Sequence, residues 1–154
     1  MIHRFITRFL KYGALSSTYL LVGSVLLQIF ARFFLPNTPA WTEEASRLFF
    51  IYGISFAAGL ALTDKYYVYL EVFFDQLPAG LKRLLSILIP VLTFLLFLCI
   101  AIYAVEFVLL GHQEKSPSMK FNMSYVFFSM IILCGSMSYF AFRDVRKSIQ
   151  QVWI

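Results

Sequence analysis

Four long runs of uncharged, mostly apolar residues are the sequence feature that most limits how this chain can fold. They occupy positions 12–31, 48–63, 84–105 and 121–142. A helix rises about 1.5 Å per residue, so about 20 such residues cross the roughly 30 Å hydrocarbon core of a bilayer. Hydrophobic residues make up 60% of the 154 residues and charged residues only 14%, which excludes a soluble domain with an ordinary polar surface. The sequence therefore predicts an all-α integral membrane protein that forms a single membrane domain over 1–154.

We place four transmembrane helices at about 12–34, 42–63, 84–106 and 121–142. The first follows a basic N-terminus, as a signal peptide would, but its apolar run is too long and no small-x-small cleavage site precedes Arg32. It is therefore predicted to remain as the first span. Pro90, near the start of the third span, predicts a bend. Cys99 and Cys134 fall in apolar runs and are predicted to be buried thiols.

The segment 64–83 interrupts the apolar pattern with charged residues between aromatic ones. It is too polar and too short to span a membrane, and it favours an amphipathic helix that lies at the membrane surface over about 66–77. An ordinary amphipathic loop is the alternative. The residues assigned to this interfacial segment are Tyr66, Tyr67, Glu71, Asp75, Leu77 and Pro78.

The basic residues predict the orientation of the chain. From the N-terminus through the three connections to the C-terminus, Lys and Arg number three, two, three, two and three. By the positive-inside rule, both termini and the interfacial segment are expected to be cytoplasmic. The connections between the first two and the last two spans are then expected outside.

Acidic residues gather at the entrance to the second span. Thr38 as a cap and Pro39 at the first helical position predict that a helix begins at about Pro39. Glu43, Glu44 and Arg47 then lie on one helix face. They indicate either a capped, charge-balanced helix end or a contact between helices or subunits. With Trp41 at interfacial depth, the predicted polar cluster at the outer end of the first two helices comprises Arg32, Trp41, Glu43, Glu44 and Arg47.

Small residues mark a possible packing face on the second helix. Gly53, Ala57 and Ala61 recur every four residues, and small residues let membrane helices approach closely. This face could line the chain's own bundle or contact a partner. Ser116 and Pro117 mark the outer loop between the last two spans.

The sequence lacks the residue patterns that are typical of self-sufficient transporters, haem proteins and enzymes. The apolar runs contain no Asp, Glu, Lys, Arg or His, whereas self-sufficient transporters commonly use such groups or broken helices within the membrane. His3 and His112 lie outside the spans and cannot hold haem between them. We find no nucleophile and base pair, phosphate-binding loop, zinc spacing or basic stripe for nucleic acid. The sequence therefore predicts neither an enzyme nor a cofactor-, metal- or nucleic-acid-binding protein, but an accessory or scaffold subunit.

An ordered set of short motifs points to a family. Gln28-Ile-Phe-Ala-Arg32, Trp41-x-Glu43-Glu44-x-x-Arg47, the small-residue helix, Leu77-Pro78 before a long span and Ser116-Pro117 before the last span occur in this order. Together they resemble the small membrane subunit of tripartite ATP-independent periplasmic (TRAP) transporters, the Q-type small permease, over nearly the whole chain. The chain departs from the family in two places. The family often has a His followed by alternating Val and Asp where Tyr66, Tyr67 and Glu71 stand, and a Pro where Asn122 stands.

The resemblance implies a bacterial inner-membrane subunit that binds a larger, multi-span permease within a hetero-oligomer. The permease would hold the substrate and sodium sites, and a periplasmic binding protein would deliver an organic acid such as a C4-dicarboxylate or sialic acid. The small subunit, surrounded by membrane lipids, would brace the permease and offer part of the docking surface. Two alternatives remain open: a self-contained, homo-oligomeric exporter or channel, and a purely structural anchor or assembly factor.

Overall fold

A computed structural model describes residues 2–35, 39–63 and 78–152 of the chain. The helices within these ranges are α1 (Ile2–Phe34), α2 (Trp41–Thr63), α3 (Ala79–Leu110) and α4 (Ser124–Val152). Each of the four contains a stretch long and apolar enough to cross a membrane. The predicted all-α membrane fold is thus confirmed. The predicted interfacial helix, with Tyr66, Tyr67, Glu71, Asp75 and Leu77, lies outside the described residues.

Three helices are longer than the spans that the sequence marks, and one of them, α3, exceeds its predicted span of 84–106 at both ends, running from Ala79 to Leu110. α1 begins at Ile2 instead of position 12, and α4 continues to Val152 instead of ending at 142. The 33 residues of α1 extend for about 50 Å, well beyond the roughly 30 Å of a hydrocarbon core. The prediction counted uncharged residues, which mark only the membrane-embedded part, whereas the backbone hydrogen bonds of a helix continue equally well in water. We call the end with both termini the terminus face, and the opposite end the loop face.

Neither α2 nor α3 begins at the predicted residue. α2 begins at Trp41, two residues after the predicted position, because Thr42 donates hydrogen bonds to the carbonyl of Pro39 from both its backbone N–H (3.2 Å) and its hydroxyl (2.8 Å). This turn precedes the helix proper; the predicted cap, Thr38, lies outside the described residues. Pro78 is exposed just before α3. Pro90 lies inside α3, which continues through it.

Helices α2 and α4 are the two inner helices of the packing. Helix α2 contacts α1 on one side and α4 on the other, and α3 packs against α4. α2 approaches α4 closely at Gly59, where an added Cβ would lie 2.6 Å from the Cβ of Ser136. Gly13 of α1 similarly faces the ring of Phe56, with 2.8 Å to its nearest carbon. Small residues at these crossings let the helices come close enough for van der Waals contacts, which drive association in lipid.

The predicted small-residue face divides in the structure. Gly53 faces α1, where an added Cβ would lie 3.7 Å from Ser17, but Ala57 and Ala61 are exposed. At 100° per residue, Gly59 lies on nearly the opposite side of α2 from both alanines. The tight contact within the chain thus uses a glycine outside the predicted face. A partner for Ala57 and Ala61 stays a prediction.

The two cysteines also differ in their surroundings. Cys134 is buried, as predicted, whereas Cys99 is exposed, so the prediction for Cys99 is wrong. The reason is that α3 packs mainly against α4 and leaves its other sides uncovered. An apolar run shows that a residue lies at membrane depth but not whether it faces lipid or protein.

Candidate polar site at the loop face

The carboxylate of Glu44 joins the first turn of α2 to the loop between α3 and α4. It accepts hydrogen bonds from the hydroxyl of Ser116 and from the backbone N–H groups of Ser118 (3.2 Å) and Met119 (2.8 Å). Both carboxylate oxygens are used. Hydrogen bonds to an ionised acceptor are roughly twice as strong as neutral ones. We call this arrangement, formed by Glu44, Ser116, Ser118 and Met119, the Glu44 clamp.

The loop itself has a defined shape that brings these donors together. Ser116 donates from its N–H to the carbonyl of Phe121 (2.8 Å) and accepts at its own carbonyl from Lys120 N–H (3.1 Å). Lys115 and Asn122 pair as an antiparallel bridge on either side. Lys120 has φ 56°, in the left-handed region that non-glycine residues rarely enter, and this reverses the chain. The hydrogen bonds within the loop and the clamp therefore hold the loop as one unit on α2.

The remaining charges of the predicted cluster do not join the clamp. Arg47 pairs with Glu43 at 3.2 Å, but both side chains are more than 60% exposed (69% and 66%), so solvent screens the pair and it contributes little to stability. Trp41 is exposed at the start of α2. Among the described contacts, Arg32 in the last turn of α1 takes part in neither the ion pair nor the clamp. The structure thus divides one predicted cluster into an exposed ion pair and a carboxylate bound to a distant loop.

The clamp joins residues that the sequence singled out separately. Glu44 and Ser116 were both candidates, but they are 72 positions apart and no spacing rule connects them. Ser118 and Met119 were missed because they contribute backbone N–H groups, which residue type does not reveal. Pro117 is exposed between these donors. The sequence offered one signal for this contact: a polar loop and acidic residues were both expected at the same end of the bundle.

Further contacts hold the corner from which the loop leaves α3. Gly111 is buried, and an added Cβ would lie 2.5 Å from the ring of Phe127 and 2.8 Å from the backbone N of Ser124. The hydroxyl of Ser124 donates to the carbonyl of Val108 (2.8 Å). Because a side chain at position 111 would collide with backbone, this corner fixes where the loop begins and ends relative to α2.

A second polar contact joins α1 and α4 at the terminus face. One Arg143 nitrogen lies within hydrogen-bond distance of both ring nitrogens of His3, 2.8 Å from Nδ1, and donates to the one that carries no proton. The His3 ring meets Phe140 edge to face with centroids 6.0 Å apart. His3 precedes the basic residues that come before the first apolar run and so lies beyond the membrane core. Partial burial, with the positive charges of Arg143 and Lys147, lowers the pKa of His3 below its usual 6.5. A neutral His3 ring can accept the hydrogen bond from Arg143.

The described residues combine four membrane-crossing helices with polar contacts at their ends. Within those residues, no group of three or more His, Cys, Asp or Glu side chains is placed to hold a metal ion. Among the described acids, Glu44 accepts the most hydrogen bonds, and all three come from the protein's own loop. The fold and these contacts define a multi-span membrane protein with polar groups joining its helices at both ends.

Comparison with known proteins identifies the family. The model of the family described as "Tripartite ATP-independent periplasmic transporters, DctQ component" matches residues 21–151. The chain therefore belongs to the DctQ family of TRAP transporter components, as the motifs predicted. It is also 23% identical over 139 residues to a Haemophilus influenzae protein described as a TRAP transporter small permease protein, covering 90% of this chain and 83% of that protein.

Proposed function

We propose that this chain is the small scaffold subunit of a sodium-coupled organic-acid uptake system. It binds and braces a large elevator-type permease subunit and helps a periplasmic substrate-binding protein to dock. Membership of the DctQ family supports the assignment to a TRAP transporter. The substrate and sodium sites belong to the permease, and this subunit carries out no catalysis and needs no cofactor of its own.

The single observation that carries the docking part of this proposal is the Glu44 clamp. A docking surface that is ordered before its partner arrives binds more tightly, because ordering a loop on binding costs affinity. The clamp fixes the loop of Ser116 and Pro117 to the rigid start of α2 with three hydrogen bonds to one carboxylate. The loop thus presents a preformed surface at the end of the bundle.

The orientation follows from the basic residues. The terminus face carries Arg4, Arg8 and Lys11 together with the positive C-terminal end of α4. By the positive-inside rule this face is cytoplasmic in the bacterial inner membrane, and the clamp faces the periplasm. This places the clamp on the side from which a periplasmic binding protein arrives.

The bracing part of the proposal rests on the uncovered side of α2. Phe50 and Ile54 are exposed at 53% and 47%, and they continue toward the terminus face as exposed Ala57 and Ala61. The stripe is bulky near the loop face and small near the terminus face, so a neighbouring helix can cross α2 closely at the alanines. We propose this stripe as the contact with the permease.

The first test is assembly. Purification of the tagged chain in mild detergent from its native membrane should recover a large multi-span protein in stoichiometric amount. Recovery of the chain only as a self-oligomer would instead favour the homo-oligomeric exporter or channel. Loss of transport in a variant that still assembles with the permease would indicate a working scaffold. Retained transport in every variant that assembles would indicate an assembly factor.

The second test removes the negative charge at Glu44. In the Glu44→Gln variant the N–H groups of Ser118 and Met119 lose their ionised acceptor, so their amide hydrogen exchange should become several-fold faster. The permease should still co-purify, whereas uptake should fall because the docking loop is no longer held. Glu43→Gln is the matched control, since it removes an equal charge at the neighbouring position. The Glu43 side chain is exposed and, among the described residues, pairs with Arg47.

The outcome for the pair of variants decides the proposal. Wild-type uptake in both variants, with faster exchange at Ser118 and Met119 in Glu44→Gln, would show that an ordered loop is not needed for docking. Loss of permease binding in Glu44→Gln would move the role of the clamp from docking to assembly. Affinity of the purified complex for its binding protein, measured in nanodiscs, completes the comparison.

A further inference from the structure

Helices α1 and α4 contact each other near the terminus face. There, His3 contacts Phe140 and Arg143. Further toward the loop face a pocket of about 370 Å³ opens over α2. Its walls come from α1, α2, the loop and the start of α4, with Leu20, Leu48 and Phe121 among them.

The walls of this pocket suit an apolar occupant. None of the residues that line it is charged, and most are aliphatic or aromatic. The hydroxyl of Tyr52, which lies in the wall, already donates to the backbone carbonyl of Tyr125 (2.6 Å). Leu48 begins the apolar run of α2, so the floor of the pocket lies at the edge of the hydrocarbon region. The volume falls within the range of about 300–1,000 Å³ that is usual for ligand pockets.

A lysine belongs to the loop that forms one wall of the pocket. Met119 and Phe121 both line it, and the exposed Lys120 lies between them in the chain. The left-handed backbone at Lys120 and its hydrogen bond to Ser116 hold this position in the loop. The clamp places the loop beside the first turns of α2, at the level where the head groups of a bilayer begin. A lysine at that level attracts anionic phosphate groups.

We propose that this pocket binds one acyl chain of a membrane phospholipid from the leaflet on the loop side, with the lipid phosphate beside Lys120. An acyl chain needs no hydrogen bonds, which matches walls whose Tyr52 hydroxyl is already used. The positive charge of Lys120 complements the negative phosphate group that all phospholipids share. The bound acyl chain fills the space between α1 and α4. It therefore supports the docking loop from the membrane side.

The test uses the full-length chain in nanodiscs that contain a phospholipid with a diazirine in its acyl chain. After irradiation, mass spectrometry should find adducts concentrated on peptides that contain Leu20 and Phe49. Leu48→Trp fills the pocket and should reduce these adducts about tenfold, because a side chain replaces the acyl chain. Leu95→Trp is the matched control, since it adds the same side chain at a site that is 53% exposed on α3, a helix that contributes nothing to the pocket lining.

Two further comparisons make the test decisive. Leu20→Trp, at a position 52% exposed in the pocket wall, should act like Leu48→Trp and covers the case in which that variant fails to fold. Lys120→Gln should weaken labelling by the diazirine phospholipid but not by a diazirine diacylglycerol, which lacks the phosphate. Equal adducts in the filled and control variants, or adducts spread evenly over all exposed helices, would overturn the proposal. So would capture of a permease peptide, in place of lipid, from the same pocket in membranes that contain the whole complex.

Discussion

Replacing Gly59 by alanine tests the close crossing of α2 and α4. The added Cβ would lie 2.6 Å from both the Cβ and the hydroxyl oxygen of Ser136. The Cβ of Ser136 is attached directly to the backbone of α4 and cannot rotate away. Reaching the 3.4 Å at which ordinary contact begins requires α2 and α4 to separate by about 0.8 Å at this level.

The expected loss of stability follows from this separation. Overpacking a well-packed contact typically costs about 1–3 kcal/mol. Alanine also favours the helix over glycine by about 1 kcal/mol, which offsets part of the loss. Gly135→Ala is the matched control, because it gains the same helix propensity on α4 with nothing within 4 Å of the new Cβ. The two variants should therefore differ in free energy of unfolding by about 1–3 kcal/mol, with Gly59→Ala the less stable.

The assay is reversible unfolding in mixed detergent micelles, followed by circular dichroism. Adding Ser136→Gly to the Gly59→Ala variant removes both atoms that collide and should recover part of the loss, with a coupling of about 0.5 kcal/mol or more. A difference below about 0.5 kcal/mol between Gly59→Ala and Gly135→Ala would refute the close crossing. Additive effects of the two substitutions at 59 and 136 would refute it as well.

Two more outcomes are expected from the ends of the bundle. Gly111→Ala should destabilise the chain by about 1–3 kcal/mol relative to Gly23→Ala. The Cβ at position 111 would lie 2.8 Å from the backbone N of Ser124, whereas a Cβ at position 23 has nothing within 4 Å. Equal unfolding titrations of the two variants would contradict this. Because the folded pKa of His3 is lowered from 6.5, its contribution to stability is present above that value and lost as the pH falls through the folded pKa. Lowering the pH from about 7.5 to about 5 should therefore destabilise the wild type more than His3→Gln, which has no charge to gain beside Arg143. Parallel pH profiles would show that folding does not shift the pKa of His3.

The helices and their number could be predicted because the constraint is local. In a bilayer each backbone N–H and C=O must be satisfied within its own segment, so an apolar run of sufficient length becomes a helix whatever it packs against. The predicted spans fell short at the termini of α1 and α4 because charge marks the membrane boundary and not the end of a helix. Cys99 shows the same limit, since an apolar run gives membrane depth without the direction that a side chain faces.

The sequence by itself determined the class of fold, the two polar ends and the family to which the motifs belong. Only the tertiary structure decided that Glu44 binds the loop of Ser116 and leaves Glu43 to Arg47, and that Gly59, not Ala57 or Ala61, meets α4. The physical reason is that helix formation is settled within one segment, whereas these contacts depend on how segments 72 or more positions apart are rotated and offset against one another. Residue spacing along a chain carries no information about that rotation.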